Sequence, residues 1–295
     1  MVDPNEPGAR MPRADVVAVR VPRPDGAVIA AELIGSSRHP LVLLVAGGES
    51  SMDWWRPAFC DLLVARGLRV ARYDQRGMGE TSLGPPAARR DGLGVAVGDA
   101  LAVVDVAGVR DAHWLGFSAG GWVCQLAALD HADRVRALTL VSTTPDVSGT
   151  DADLPGPAAR LREAWAHPRP DPDWDDPDAV IEHHVEIDRD YAGDEFDEAH
   201  DRAIWTDTVR RAPDMHRDEG GTGEFEEVPR WRERLGEIRV PTTVVHGTSD
   251  PMFPLGNGEA LARQIPGARL VTIPGGGHEL PPSAWPIVVD AVVGG

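Results

Sequence analysis

The sequence predicts an α/β fold in which a doubly wound, mostly parallel sheet carries an inserted, mainly helical segment. Short β-branched runs alternate with amphipathic helical stretches at both ends of the chain, which is typical of a parallel sheet covered by helices. A Pro-rich and Asp-rich stretch interrupts this alternation in the middle of the chain. The length of 295 residues is enough for one large domain with a sizeable buried core.

Apolar runs bounded by turn residues predict the strands. Residues 16–21 and 28–34 flank the turn residues Pro24, Asp25 and Gly26, so they predict an N-terminal hairpin. Further strands are predicted at residues 41–45, 68–73, 112–117, 137–142, 242–246 and 269–273, and helices at residues 54–66, 92–106, 119–129, 258–265 and 285–293. Because helices separate the later strands, we expect those strands to run parallel.

The acidic residues are concentrated in one part of the chain. The whole sequence has 29 basic and 47 acidic residues and a net charge of -18, whereas residues 145–235 alone have 26 acidic and 11 basic residues and a net charge of -15. We therefore predict that residues 1–144 and 236–295 form the core and that residues 145–235 form a mainly helical, acidic lid. This charge balance repels phosphate backbones and anionic membrane surfaces, so neither nucleic acid nor a membrane is an expected partner.

The cysteine content and the N-terminus predict a cytoplasmic protein. Two cysteines, Cys60 and Cys124, are too few for a disulfide framework, and we expect both to be buried packing residues. The first 15 residues lack the apolar stretch of a secretory signal, and no apolar run approaches the length of a membrane-spanning helix.

The segment Gly116-Phe117-Ser118-Ala119-Gly120-Gly121 lies between a predicted strand and a predicted helix. A Gly-x-Ser-x-Gly turn in this setting follows a tight backbone path that exposes the serine hydroxyl, which must lie beside a base to act as a nucleophile. We therefore predict that Ser118 is a nucleophile. The alternative is a glycine-rich turn with an incidental serine.

An acid and a base follow the serine in the order that a Ser-Asp-His triad requires. Asp250 follows the strand at residues 242–246, and His278 follows the last strand. In such a triad His278 transfers the proton, while Asp250 orients the imidazole and stabilises its charged form. Taken singly, Asp250 could cap a turn and His278 could be an exposed loop residue; Asp146, after the strand at 137–142, is the rival acid.

Two backbone N–H groups are expected to bind the oxyanion of an ester-cleaving enzyme. The N–H of Ala119 directly follows the nucleophile, and the loop after residues 41–45 supplies the second donor, for which we name Gly48. In the alternative interpretation, Gly47 and Gly48 only allow the chain to turn away from the strand. This chemistry implies no metal ion and no cofactor.

These motifs together resemble those of the α/β-hydrolases, and within them those of the aclacinomycin methylesterase-type esterases of actinobacterial polyketide pathways. The resemblance covers about residues 15–145 and 230–293 and rests on Leu44-Val45-Ala46-Gly47-Gly48, Tyr73-Asp74-Gln75-Arg76-Gly77-Met78-Gly79-Glu80-Thr81-Ser82, the Ser118 segment, Val240-Pro241-Thr242 and Ile273-Pro274-Gly275-Gly276-Gly277-His278. It implies the α/β-hydrolase fold with a lid at the insertion. Two positions depart from the family pattern, because Ala46 stands where many members have His and Glu279 follows the catalytic His.

Aromatic residues are candidates for a substrate pocket. Six tryptophans could line it or could equally be core and lid packing: Trp54, Trp55, Trp122, Trp165, Trp174 and Trp205. We expect at most two or three of these tryptophans in the pocket, and we name Trp54, Phe117 and Trp122 as substrate-binding residues.

Two polar clusters have simpler explanations than catalysis. Glu182, His183, His184 and Glu186 have metal-ligand side chains, but adjacent histidines point apart on a helix, so a solvated surface is the preferred interpretation. Asp74 and Arg76 follow a strand, and we expect them to fix the loop near the oxyanion hole.

The sequence therefore predicts a serine hydrolase that cleaves a carboxylic ester of a bulky hydrophobic or polyketide-like small molecule. One alternative is that the same scaffold catalyses lactone opening, acyl transfer, C–C bond hydrolysis or ring closure. Another is a ligand-binding protein with an inert triad. The acidic lid could concentrate cationic substrates, although a solvated outer face is the preferred explanation of its charge.

Overall fold

Eight strands and eight helices occupy the part of the chain that the computed structural model describes, which is residues 14–48, 50–85, 92–147, 151–211 and 230–294. The strands are β1 (Val16–Pro22), β2 (Val28–Ile34), β3 (Leu41–Val45), β4 (Arg69–Tyr73), β5 (Ala112–Phe117), β6 (Val135–Val141), β7 (Thr242–Gly247) and β8 (Arg269–Ile273). The helices are α1 (Pro57–Ala65), α2 (Leu93–Val106), α3 (Ala119–Asp130), α4 (Ala159–Ala166), α5 (Pro177–Tyr191), α6 (Glu198–Arg211), α7 (Gly256–Gln264) and α8 (Trp285–Val293).

The strands form one sheet in the order β1-β2-β4-β3-β5-β6-β7-β8. Strands β1 and β2 form the predicted antiparallel hairpin, β2 pairs antiparallel with β4, and every later pair is parallel. The predicted fold class is confirmed. Helices α2, α3 and α7 cover one face of the sheet, while α1 and α8 cover the other, so the central strands β3 and β5 are buried throughout.

Of the element boundaries that differ from the sequence prediction, two have a local cause in the backbone. Helix α1 begins at Pro57 and not at Trp54, because the residue before a proline avoids the helical region, and Arg56 has an extended ψ of 144°. A short 3-10 turn at Met52–Trp54 precedes it. Strand β6 ends at Val141 because Ser142 has a φ of +44°, which no strand residue adopts.

Helices α4, α5 and α6 belong to the segment between β6 and β7, which we call the insertion (residues 145–235). Helices α5 and α6 pack on each other through a small apolar cluster that contains Val180, Ile181, Val185 and Val209. Residues 148–150 and 212–229 of the insertion lie outside the described part of the chain. None of the described helices has both the length and the apolar composition needed to cross a membrane.

Candidate functional site

Ser118 lies in the sharp turn between β5 and α3. Its φ of +52° and ψ of -121° fall in a region that non-glycine residues rarely adopt, so the backbone is strained at this residue. The turn is held by the N–H of Ser118, which donates to the carbonyl of Val141, and by the N–H of Gly121, which donates to the carbonyl of Ser118. The strain directs the Ser118 side chain toward a cavity at the carboxyl ends of the strands.

Glycines allow this turn to form where helix α3 meets the sheet. A Cβ on Gly116 would lie 2.3 Å from the carbonyl oxygen of Gly120, and a Cβ on Gly120 would lie 2.3 Å from that of Val45. On Gly121, a Cβ would lie 2.6 Å from the Thr143 side chain. The helix therefore begins in direct contact with backbone atoms of neighbouring strands, which side chains at these positions would prevent.

His278 and Asp250 complete a chain of hydrogen bonds that begins at Ser118. His278 Nε2 lies 2.9 Å from Ser118 Oγ, and His278 Nδ1 lies 3.0 Å from Asp250 Oδ2. The three residues come from the ends of β5, β7 and β8, and all three are buried. The structure thus brings together the three residues that the sequence predicts as a triad.

The surroundings of Asp250 keep its carboxyl group ionised. Its Oδ1 accepts the N–H groups of Met252 and Phe253 at 2.9 and 2.8 Å, while Oδ2 faces His278. Burial alone raises the pKa of Asp250, but the positive charge and the hydrogen bond of His278 outweigh it, so the pKa lies below its usual value. Nε2 of buried His246, which lies 3.7 Å from Asp250 Oδ2, donates to the carbonyl of Phe253.

The rival acid Asp146 has a different partner. It is buried, and its Oδ2 lies 3.3 Å from Arg230 Nη1 at the end of the insertion. The acceptor of the hydrogen bond from His278 Nδ1 is Asp250. The geometry therefore favours Asp250 over Asp146 as the partner of the imidazole.

Gly48 and Ala119 border the cavity on either side of Ser118. A Cβ on Gly48 would lie 3.9 Å from the Cβ of Ala119, so a side chain at position 48 would reach the Ala119 methyl group. The N–H of Ala119 is in the first turn of α3 and has no acceptor within the helix. The loop before Gly48 is held by Gln75, whose Nε2 donates to the carbonyl of Ala46 at 2.8 Å.

A cavity of about 340 Å³ opens above Ser118 and His278. Trp54, Phe117 and Trp122, the three predicted substrate-binding residues, all line it. Trp54 packs on Phe117, with ring centroids 4.8 Å apart, and Phe117 lies 5.1 Å from the His278 ring. Three aromatic side chains therefore belong to its wall on the core side.

Sequence reasoning missed the wall of the cavity that the insertion supplies. Seven of its residues belong to α5 and α6: His184, Ile187, Asp188, Tyr191, Ile204, Trp205 and Thr208. The α5 residues recur with a spacing of three or four, which marks one face of a helix. These residues form a second stripe on α5, beside its apolar stripe. That stripe was the signal in the sequence for a cavity wall, but its polar residues resemble those of a solvated face.

A pair of acidic residues connects α5 and α6 beside this wall. Asp188 lines the cavity, and its Oδ2 accepts the indole N–H of Trp205 at 2.7 Å. Burial, the charge of Asp188 and the hydrogen bond to it raise the pKa of Asp201 to about 9. Burial also raises the pKa of Asp188, while the hydrogen bonds from Trp205 and Asp201 lower it, so we assign the proton that the two carboxyl groups share to Asp201.

The polar cluster at residues 182–186 does not form the solvated surface that the sequence predicts. Glu182 is exposed, but His184 lines the cavity and stacks on Trp205, with ring centroids 3.8 Å apart. The prediction is wrong for His184 because α6 packs against α5, a contact that no local pattern shows. The described residues contain no group of three or more metal-ligand side chains arranged around a common point.

Asp74 and Arg76 have separate tasks. Buried Asp74 accepts the N–H groups of Met52 and Glu80 and binds Arg211 of α6 at 2.5 Å, so it fixes the turn that follows the loop at residues 46–48. Arg76 instead forms ion pairs with Asp25 of the N-terminal hairpin and with Asp99 of α2, so it joins these two elements. These ion pairs do not involve the loop at residues 46–48. Gln75 binds that loop.

The remaining tryptophans divide between cavity, core and surface. Trp205 lines the cavity, Trp55 is fully buried beneath the sheet, and Trp165 and Trp174 are exposed on the insertion. Both cysteines are buried free thiols, as predicted.

Comparison with known proteins supports the same chemistry. A family model described as alpha/beta hydrolase fold matches residues 40–282. Two curated relatives are each 31% identical over 287 residues, covering 87% of this chain and 91% of the relative: rhodomycin D methylesterase DnrP from Streptomyces peucetius and rhodomycin D methylesterase DauP from Streptomyces sp. strain C5. The solved structure of a hydrolase from Pseudomonas aeruginosa PA01 has a TM-score of 0.65 and 27% identity, with 94% of this chain and 98% of that chain covered.

Proposed function

Because this chain belongs to the α/β-hydrolase family, we propose that it is a serine hydrolase that cleaves a carboxylic ester through an acyl-enzyme on Ser118. One observation carries the proposal, the continuous chain of hydrogen bonds from Ser118 Oγ through His278 to Asp250 at the wall of the cavity. A hydroxyl, a base and an acid in this order are what acyl transfer requires.

Each residue has one task in the proposed reaction. Ser118 Oγ attacks the ester carbonyl carbon while its proton moves to His278 Nε2. The N–H groups of Gly48 and Ala119 bind the oxyanion, and Asp250 stabilises the imidazolium. His278 then protonates the alcohol as the C–O bond breaks, which leaves the acyl group on Ser118. A water molecule that gives its proton to His278 attacks this acyl-enzyme, releases the acid and regenerates Ser118.

We propose a bulky, polyketide-like ester as the substrate. Aromatic rings from the core and from α6 favour large, flat, apolar groups, and two relatives are named rhodomycin D methylesterases. Asp188 adds a carboxyl group to this wall, held by the indole N–H of Trp205, and in its ionised form this group favours a substrate with a cationic amine. The insertion acts as the lid in this proposal, since its helices supply one wall of the cavity.

A cytoplasmic location is part of the same proposal. The two buried free thiols, Cys60 and Cys124, suit a reducing compartment.

Labelling with a fluorophosphonate tests the proposed nucleophile. Attack by Ser118 Oγ on phosphorus expels fluoride and leaves a phosphonyl adduct, so the wild-type protein should gain the mass of one adduct and lose esterase activity. Ser118→Ala should take up no label. Ser50→Ala is the matched control, because Ser50 also lines the cavity but has its hydroxyl bonded to the carbonyl of Gly48.

Two other results would contradict the proposal in different ways. A wild-type protein that binds esters but neither takes up label nor releases product would be a binding protein with an inert triad. A labelled protein that converts a substrate without releasing an acid and an alcohol would use the scaffold for another reaction.

A further inference from the structure

We propose that Glu279 is a positioning residue for His278, acting by fastening the connection between α5 and α6 to the loop that carries His278. We call residues 192–197 the α5–α6 connection and residues 274–279 the histidine loop. This inference rests on the proposed function, because it concerns how the base of that reaction is held in place.

The histidine loop needs restraint from outside because of its own sequence. It contains three consecutive glycines, Gly275, Gly276 and Gly277, directly before His278. Glycine has more backbone freedom than any other residue, so this run does little by itself to fix the position of the imidazole. A general base must nevertheless stay within hydrogen-bonding distance of the nucleophile.

Backbone contacts from the insertion supply that restraint. The N–H of His278 donates to the carbonyl of Tyr191 at 2.8 Å, at the end of α5, and the N–H of Asp194 donates to the carbonyl of Gly275 at 2.8 Å. Ser249, next to Asp250, donates its hydroxyl to Asp194 Oδ1 at 2.7 Å. The insertion is thus bonded to both loops that carry the acid and the base.

The two backbones touch without side chains between them. A Cβ on Gly193 would lie 2.1 Å from the carbonyl oxygen of Gly275, and a Cβ on Gly277 would lie 2.0 Å from the nitrogen of Gly193. Glycine at both positions permits this approach. Because the contact is so close, a small displacement of the α5–α6 connection must move the histidine loop.

Glu279 adds a side-chain bond to this contact. Its Oε1 accepts the N–H of Gly193 at 3.1 Å, so the residue after His278 is tied to the connection. The charged and titratable groups around this carboxyl are Asp188 on α5, Asp197 in the connection, His200 and Asp201 on α6, and Asp250 after β7. Burial, together with the nearby acidic groups, raises the pKa of Glu279 to about 7.

The test compares Glu279→Ala with Glu279→Gln on an ester that the wild-type enzyme hydrolyses. Glu279→Ala should lower kcat by about tenfold to a hundredfold with little change in KM, because a displaced base slows proton transfer more than it weakens substrate binding. Glu279→Gln keeps an oxygen acceptor for Gly193 and should stay within about threefold of the wild-type kcat. Glu259→Ala is the matched control, since it removes an exposed carboxylate from α7, away from the site.

A pH profile adds a readout that general destabilisation would not change. The ionised carboxylate is the stronger acceptor, so protonation of Glu279 should lower the kcat of the wild-type enzyme as the pH falls through about 7. Glu279→Gln should not show this part of the decrease. Thermal unfolding shows whether Glu279→Ala is folded. If it is not, Ser249→Ala, which breaks the adjacent bond to Asp194, should lower kcat in the same way.

Wild-type kcat in a folded Glu279→Ala would overturn the inference, and so would wild-type kcat in Ser249→Ala if Glu279→Ala does not fold. An equal loss of kcat in Glu259→Ala would also overturn it. So would weaker substrate binding in Glu279→Ala, seen as a higher KM with unchanged kcat. These outcomes differ from failure of the proposed function, in which the wild-type protein itself would hydrolyse no ester.

Discussion

The two carboxylate oxygens of Asp250 hold different groups, and this decides which substitutions the site tolerates. Oδ1 binds two backbone N–H groups of its own turn, whereas Oδ2 receives the Nδ1–H of His278. An asparagine in this position can still hold the turn through its oxygen. Its amide NH₂ would then face His278 Nδ1 and would favour the tautomer that has its proton on Nε2. Nε2 must be unprotonated to accept the proton of Ser118.

We expect Asp250→Asn to lower kcat by about 10⁴-fold, the loss typical of a triad in the wrong tautomer. Asp146→Asn should cost far less activity, because the partner of Asp146 is Arg230 and not His278. Steady-state kinetics on one ester, with circular dichroism as the check of folding, compares the two variants. The opposite ranking would show that Asp146 is the catalytic acid.

Gly48 allows a separate test of the oxyanion hole. Proline at this position removes the N–H, so Gly48→Pro should lower kcat by about 10²- to 10³-fold. Binding of an unreactive substrate analogue should change little, because the donor is needed most when negative charge develops on the oxygen. A folded Gly48→Pro variant with wild-type kcat would place the second donor elsewhere in the loop.

At the scale of single elements, strand β5 contains a buried histidine that has no part in the proposed reaction. His113 Nε2 bonds Thr139 of β6 at 2.8 Å in the sheet. Burial, with a smaller effect of Arg136, lowers the pKa of His113 from 6.5 to about 4. The folded protein therefore keeps this imidazole neutral at pH values at which the unfolded chain protonates it.

Stability should therefore fall as the pH falls from 6.5 to about 4. Between these values the unfolded chain binds a proton that the folded protein does not, so acidification favours unfolding. Between pH 7 and pH 5 the wild-type free energy of unfolding should lose about 2 kcal/mol through His113. Urea unfolding at both pH values measures this loss, and His113→Gln should reduce it by about that amount. An unchanged pH dependence in His113→Gln would assign the loss to other groups.

Elements with strong local patterns were predictable, and contacts between distant elements were not. The apolar runs, the glycines around Ser118 and the positions of Asp250 and His278 at strand ends are local signals, so the fold and the three clustered residues followed from them. The insertion wall depends on α6 packing against α5 and on Arg211 pairing with Asp53 and Asp74, which are far away in the sequence. His184 belongs to a regular stripe on α5, but the polar residues of that stripe resemble a solvated face.

Over the whole molecule, the acidic side chains on the surface of the insertion have a different setting from Asp188, which lines the cavity. On the surface of the insertion, many acidic side chains pair with arginines, as in Arg202 with Glu182 and Glu198. Asp188 instead lies at the cavity wall beside Trp205. Surface charges are screened over a Debye length of about 8 Å at physiological ionic strength, whereas buried charges are screened much less.

The two kinds of charge should respond differently to salt. We expect the kcat/KM ratio of a cationic ester to a neutral ester of similar shape to change little from low to high salt, because Asp188 supports the preference from inside the cavity. Asp188→Asn should lower this ratio about tenfold at every salt concentration. A wild-type ratio that collapses at high salt, with no effect of Asp188→Asn, would instead assign substrate steering to the acidic surface.

The contact between the α5–α6 connection and the histidine loop also limits how this enzyme can be recombined with its relatives, because neither segment can be exchanged without the other. A chimaera that takes only residues 145–235 from another parent places a foreign connection against the native loop, where a Cβ on Gly193 has no room. The two segments should therefore be inherited together, although Gly193 and Glu279 are 86 positions apart. In a shuffled library, we expect active members to be those whose crossovers keep residues 191–194 and 274–279 from one parent.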